Sequence, residues 1–539
     1  MVYSLRRVKS ARVITERFFI MYYTQRVKLL VIEIDGESLS IEDVIEVARN
    51  HAEGTLADSA RQKMDKSREV VESTVKEGRI VYGVNTGFGD LANVSIDGNQ
   101  LEKLQVNLIR SHSVGVGSPF SLEIVRGMML LRANALAKGY SGVRIKLVET
   151  LIKMLNKNLT PVIPEKGSVG ASGDLAPLAH MALVIIGEGE AFYDGKRVSG
   201  KTAMNKAGIE ILTLRAKEGV ALINGTQAMT SIGALIVQDA LGLIRNALVA
   251  SAMSLEALRG TRAALDTRIH QLRPHEGQLD VAQALLHLLP DSEINQSHAN
   301  CGKIQDAYTL RCIPQVIGAS LDTVRYVRSI LETELNSVTD NPLVFPDEKD
   351  VVSGGNFHGQ PIALAMDFLG IALSEIANMS ERRVNRLVNP HLSGLPAFLA
   401  AESGLQSGMM LAQYTAAALV SENKVLAHPA SVDSIPTSAD QEDHVSMGTI
   451  AARKAQEILE NVRNVISIEY LCAAEGIDLL APLKAATPLV RAKDVIRREV
   501  PKMEDDRALS SDIKKIYHLQ LSGKIIHEVE REAGSIIPE

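Results

Sequence analysis

Residues 167–182 read Gly-Ser-Val-Gly-Ala-Ser-Gly-Asp-Leu-Ala-Pro-Leu-Ala-His-Met-Ala. The first eight form a glycine-rich turn and the rest the start of an apolar helix, which is the ordinary reading of such a stretch. A phosphate cradle is the nearest rival, but the turn lacks a Gly-Lys-Ser/Thr ending and no clear strand precedes it. Its centre, Ala171-Ser172-Gly173, permits a third reading. If a tight turn presses the Gly173 nitrogen onto the Ala171 carbonyl carbon, the backbone closes a five-membered ring. Loss of water aromatises it, and a second dehydration at Ser172 leaves an exocyclic methylene. Gly173 has no Cβ to block the approach, Ala171 is small, and only a Cβ carrying a hydroxyl yields the methylene.

The stretch resembles the signature of the histidine and aromatic amino-acid ammonia-lyases, whose Ala-Ser-Gly matures into 4-methylideneimidazole-5-one (MIO). The resemblance implies a cofactor formed autocatalytically from Ala171, Ser172 and Gly173, with no external cofactor. It extends from about Ile32 to about Leu480, less distinctly beyond, through several further motifs in order.

Tyr82-Gly83-Val84-Asn85-Thr86-Gly87-Phe88-Gly89 is a loop with three glycines, able to fold closely over a site. An ordinary tyrosine titrates near 10, so a basic Tyr82 needs positive surroundings. The bland alternative is a buried tyrosine with a satisfied hydroxyl. The family resemblance implies that Tyr82 removes the β-proton. Ile223-Asn224-Gly225-Thr226-Gln227 precedes a long helix, and Asn224 or Thr226 suits its N-cap. The resemblance implies that Asn224 also hydrogen-bonds the MIO ring. Several helix N-termini aimed at one site would make the methylene more electrophilic.

In Gln305-Asp306-Ala307-Tyr308-Thr309-Leu310-Arg311-Cys312, Arg311 offers a planar fork for an α-carboxylate and Gln305 a further donor. Their spacing predicts that Gln305, Tyr308 and Arg311 share a narrow region of a helix face or its leading turn. The resemblance implies proton traffic at Tyr308 and substrate anchoring at Arg311. Ala307 stands where the family pattern has Pro. The resemblance also marks Phe357, in Ser353-Gly354-Gly355-Asn356-Phe357-His358, as an aromatic wall beside the MIO. Thr339-Asp340-Asn341-Pro342 and Ser421-Glu422-Asn423-Lys424 fit the pattern in structural roles.

Selectivity turns on two positions. Arg110-Ser111-His112 is polar where phenylalanine-specific relatives are apolar, and Glu442 stands where aromatic lyases and aminomutases carry Gln. An imidazole needs partners for both nitrogens, and a carboxylate opposite one of them makes a charge-assisted bond. A phenyl ring would leave Glu442 buried and unpaired. His112 alone could equally meet a tyrosine phenol. The resemblance therefore implies elimination of ammonia from L-histidine to give trans-urocanate, with Glu442 and His112 on the imidazole. A tyrosine or phenylalanine ammonia-lyase, or a 2,3-aminomutase, is the alternative. A non-catalytic scaffold with the same fold is a further one, disfavoured by intact Ala171-Ser172-Gly173 and Tyr82.

Outward from these motifs, the chain is predicted to be mainly α. Thr226–Gly260, Gln360–Leu387, Gln406–Leu426 and Ser446–Leu479 carry apolar residues at helical spacing with few internal Gly or Pro. Several are apolar on more than one face, which suggests burial by neighbours or by other subunits. The expectation is a bundle of long helices over 141–539 and a smaller mixed region over 29–140 that holds the Tyr82 loop. Leu29–Ile34 and Ala191–Gly195 are the strand candidates. A mainly helical homotetramer, with sites drawing on more than one subunit, follows from the resemblance.

Residues 1–28 carry seven Lys/Arg and one Glu and look like an extension, either upstream of a start at Met21 or a surface strand. They lack a signal peptide's long apolar stretch and small-residue cleavage site. A net charge of −6 over 539 residues gives no reason to expect nucleic acid or an anionic membrane as partner. No apolar run is read as reaching the roughly 18 residues of a membrane span. Cys301, Cys312 and Cys472 lack metal spacing and cannot all pair, which fits a reducing cytoplasm. Glu442, Asp443 and His444 do not have the ligand spacing of a metal site, so no metal is expected.

Overall fold

A computed structural model describes residues 30–87, 96–97, 100–299, 302 and 304–537. The extension at 1–28, Phe88, Gly89 and Cys301 lie outside these residues. Among the described residues, nine short strands form four small sheets. β1 (Val31–Ile34) and β2 (Glu53–Leu56) pair in parallel, Val31 opposite Glu53. β3 (Val116–Pro119) pairs antiparallel with β5 (Pro164–Lys166), while β4 (Thr160–Pro161), β6 (Glu190–Tyr193) and β7 (Lys196–Ser199) make a three-stranded sheet. β8 (Leu343–Phe345) and β9 (Asp350–Val352) form a hairpin. Both strand candidates read from sequence fall on strands, β1 and β6.

The helices that place the site are α1 (Leu101–His112), α2 (Leu122–Ala137), α3 (Leu175–Ile185), α4 (Glu218–Ile223), α5 (Gln227–Ala257), α6 (Tyr308–Arg311), α7 (Ile313–Leu335), α8 (Gln360–Val388), α9 (Met410–Leu426) and α10 (Gly448–Asp478). The four long windows read from sequence coincide with α5, α8, α9 and α10 to within a few residues. α8 and α5 pack along α10, and α7 packs along α8. One continuous apolar core runs from Ile32 to Ile537 through these contacts.

Burial separates the long helices into two kinds. α5 and α10 are buried nearly all round, because Ala, Gly and Ser at their contacts let other helices approach on several sides. α8 leaves Leu364, Phe368 and Ile371 exposed, and α9 leaves Leu411, Tyr414 and Val425 exposed. One expectation needs correction. α5 and α8 are long and apolar enough to cross a membrane by length and composition, but 72% of each most apolar window is buried inside the structure. Most of their apolar surface meets other helices of the same chain, and only part of the α8 face stays exposed.

Candidate active site

The turn at 167–174 joins β5 to α3 and is pinned by backbone from two other segments. The Asp174 amide donates to the Gly225 carbonyl at 2.7 Å, and Gly173 and Gly225 form an isolated parallel bridge. Gly173 has φ of +75°, and a Cβ there would lie 2.1 Å from the Gly225 oxygen. No other residue fits this position. On the other side the Met447 amide donates to Val169 O at 2.9 Å and Ser446 Oγ to Gly170 O at 3.1 Å.

Ser172 is held at two points. Its carbonyl accepts from Asn224 Nδ2 at 3.1 Å, and its hydroxyl donates to Glu442 Oε1 at 2.9 Å. Glu442 Oε2 accepts from Thr437 Oγ1 at 2.7 Å, and the two residues also exchange backbone bonds. The structure thus brings Ala171, Ser172, Gly173, Asn224 and Glu442 together. His112, at the end of α1, belongs to the same neighbourhood, because the Glu442 charge acts on its ring. Burial, the larger influence, holds the His112 pKa below the usual imidazole value, although the Leu108 carbonyl and Glu442 pull the other way. Nδ1 lies 2.9 Å from Leu108 O, which fixes the proton there and leaves Nε2 as the acceptor of the neutral ring.

Three helices, α3, α5 and α10, begin around the turn, so their partial positive ends converge on it as expected. The capping differs from the sequence reading. Asn224 is the C-cap of α4, and Thr226 holds the N-cap position of α5 without a side-chain cap bond. Thr226 turns its hydroxyl to Glu334 at 2.5 Å instead. The free amides of Ala228 and Met229 go to Asp174 Oδ2 at 2.8 and 3.0 Å. Asp174 also accepts from Thr449 and Ser168 and is fully buried, which pushes its carboxyl up to about 6. Sequence reasoning missed this role. An Asp after Ser-Gly signals a cap for the helix that follows it, whereas Asp174 caps a helix 53 residues further on.

Tyr82 is half-buried in a turn whose Gly83 packs on Pro342 and on Val220 of α4, the helix that ends at Asn224. Phe357 is half-buried in the turn before α8. Next to it, His358 stacks on His444 at 5.7 Å and Gly359 backs onto Met229 and Ser446, so this turn leans on the segment that carries Glu442.

Gln305, Tyr308 and Arg311 stand apart. Among the described residues no hydrogen bond joins them to Ser172, Asn224 or Glu442. α6 spans only Tyr308–Arg311 and Gln305 lies before it, so the three do not share a helix face. Asp306 is buried and accepts from the Thr261 amide at 2.7 Å, which explains the break: its carboxylate anchors the chain elsewhere. Gln305 is exposed, Tyr308 is 70% exposed, and the Arg311 guanidinium lies over the Tyr308 ring at 4.6 Å.

The arrangement offers an Ala-Ser-Gly turn pinned by backbone, a carboxylate on the Ser172 hydroxyl and an imidazole, His112, within electrostatic reach of that carboxylate. Comparison with known proteins agrees with this chemistry. Residues 39–498 match the family model described as aromatic amino acid lyase. The chain is 57% identical over 500 residues to the histidine ammonia-lyase of Alkaliphilus oremlandii, covering 93% of this chain and 98% of that one. The crystal structure of histidine ammonia-lyase from Trypanosoma cruzi matches with a TM-score of 0.87 at 46% identity, covering 95% and 96%. The tyrosine aminomutase of Streptomyces globisporus matches with a TM-score of 0.89 at 41% identity, covering 93% and 99%, so the fold alone does not separate these activities. The chain belongs to the aromatic amino acid lyase family.

Proposed function

We propose that this chain is a histidine ammonia-lyase that eliminates ammonia from L-histidine to give trans-urocanate. The observation that carries the reading is the place of Glu442, one oxygen on Ser172 and its charge felt at neutral His112. The names of the relatives above support it. The residues present fit an MIO group formed from Ala171, Ser172 and Gly173. Gly173 is pressed on Gly225, Asn224 Nδ2 already holds the Ser172 carbonyl, and buried Asn224 Oδ1 is without a hydrogen-bond partner among the described residues. Once formed, that group supplies an electrophilic methylidene carbon to the substrate amine.

The chain's own residues then divide the work. Glu442 Oε1 holds the hydroxyl that maturation removes, so the loss of that hydroxyl releases a carboxylate oxygen for the substrate imidazole. His112 Nε2 accepts from the other ring nitrogen, so these two acceptors hold the substrate ring in its protonated, two-donor form. Tyr82 takes the β-proton, Tyr308 assists proton traffic, Gln305 and Arg311 hold the α-carboxylate, and Phe357 walls the ring. We also propose a homotetramer in the cytoplasm. The exposed apolar residues of α8 and α9 and the exposure of Tyr308 support assembly, and the free thiols of Cys312 and Cys472 suit a reducing compartment.

Incubating the purified protein with L-histidine, L-tyrosine and L-phenylalanine, with products separated by chromatography, tests the reading. trans-Urocanate as the dominant product supports it. A β-amino acid, or preferential deamination of tyrosine, overturns it.

A further inference from the structure

Behind the Asn224-Gly225 turn, on the side away from Ser172, lies a buried cluster that the reaction above does not use. Arg132 of α2 is 0% exposed and donates from Nη1 to the Asn224 carbonyl at 2.6 Å and to Gln227 Oε1 at 3.1 Å. Its Nε and Nη2 are buried without partners among the described residues. Lys217 and Asp340, also fully buried, pair at 2.7 Å. The Asp340 charge acts on both cations, so two positive groups share one carboxylate. Burial lowers the Arg132 pKa to about 10, which leaves it charged at neutral pH.

An unbalanced buried guanidinium costs stability, and an apolar side chain of similar length would cost less. What Arg132 touches explains its presence. Gly225 has φ of +156°, and a Cβ there would lie 2.6 Å from Arg132 Nη1 and 2.5 Å from both Gln227 Oε1 and Thr339 O. The opposite side of Gly225 is its carbonyl, pressed on Gly173 and accepting from the Asp174 amide. Gly225 is therefore held between Arg132 and the turn that carries Ser172.

We propose that Arg132 is a positioning residue for cofactor maturation: through Asn224 and Gly225 it backs the turn against Gly173, keeping the Gly173 nitrogen on the Ala171 carbonyl carbon. This rests on the MIO reading given above. In the step it serves, the Gly173 nitrogen bonds to the Ala171 carbon, whose oxygen leaves as water with the Gly173 and Ser172 amide hydrogens. A second water takes the Ser172 hydroxyl and its α-hydrogen. Nothing is oxidised or reduced overall. A backing group removed from a proximity-driven ring closure slows it steeply.

Arg132→Met leaves the Lys217–Asp340 pair balanced, so the fold should persist. The mass of the peptide spanning 171–173 is the readout, with circular dichroism and thermal unfolding confirming the fold. Wild-type peptide should be lighter than its sequence by two waters. Folded Arg132→Met should keep both, its maturation slowed on the order of a hundredfold. Folded Arg132→Met that loses both waters as fast as wild type overturns the proposal. Should Arg132→Met not fold, Arg132→Lys keeps a cation with a poorer reach. A clear lag in its mass loss during expression supports the role, and wild-type timing overturns it. Full mass in the wild-type peptide would instead defeat the MIO reading itself.

Discussion

The turn around Ser172 and the segment from Gln305 to Arg311 sit in opposite surroundings. Ser172 is enclosed by three helix starts, pinned through its carbonyl and its hydroxyl, and backed by buried charge. Tyr308 is 70% exposed, and Arg311 stacks on Tyr308 with no carboxylate on its guanidinium among the described residues. Under the proposed function, the difference follows from what each would have to do. A backbone ring closure needs its atoms compressed before any substrate arrives, so its whole frame is built within one chain. A carboxylate anchor needs only to be presented to a ligand, and it can be presented to a site on another copy.

The sharpest way to break this comparison uses two dead variants. Ser172→Ala should remove the electrophile and reduce turnover by roughly 10⁴-fold or more, with helical content unchanged. Arg311→Ala should lose substrate capture. When the two are co-expressed and the site is shared between copies, about a quarter of the sites recover both groups by random assembly, and turnover returns in proportion. No recovery would place both groups in one chain and end the contrast.

Tyr82→Phe comes next, with kcat reduced by roughly 10²- to 10⁴-fold while a substrate analogue still binds, because only the proton acceptor is lost. A change confined to KM would make Tyr82 part of the binding set and leave the base unassigned. Glu442→Gln should cost histidine turnover about 5- to 150-fold and leave any trace activity on tyrosine unchanged or higher. Equal loss on all substrates would tie Glu442 to the enclosed turn alone, through Ser172, and not to selectivity.

The smallest effect concerns stability. Asp174 is raised from 3.8 to about 6 by burial, so the folded chain holds its proton more tightly than the unfolded one. Its contribution is therefore fully present below pH 3.8 and is lost as pH rises to about 6, by on the order of 3 kcal/mol. Asp174→Asn should lack this dependence. Measured against pH from 4 to 6, the wild-type Tm advantage over the variant should shrink by a few degrees. A constant gap would mean that Asp174 is ionised throughout.

Local chemistry made much of this protein legible from sequence. The long helices α5, α8, α9 and α10 announce themselves through periodicity, and Ala171-Ser172-Gly173 through the bonds those three residues alone can form. Glu442 and Ser172, 270 residues apart, were legible only as separate motifs. Their contact, the capping of α5 by Asp174 and the backing of Gly225 by Arg132 depend on how α2, α3, α5 and α10 converge. Sequence spacing left Gln305 on a helix face or in its leading turn, and the buried Asp306, held by the Thr261 amide, decides for the residues before the helix. Periodicity and reactivity are properties of neighbours along the chain, so the sequence by itself determined the helices and marked the residues proposed to react. Which buried polar groups meet is decided by packing, since each must find its partner wherever the folded core brings one within reach, and only the tertiary structure settles that.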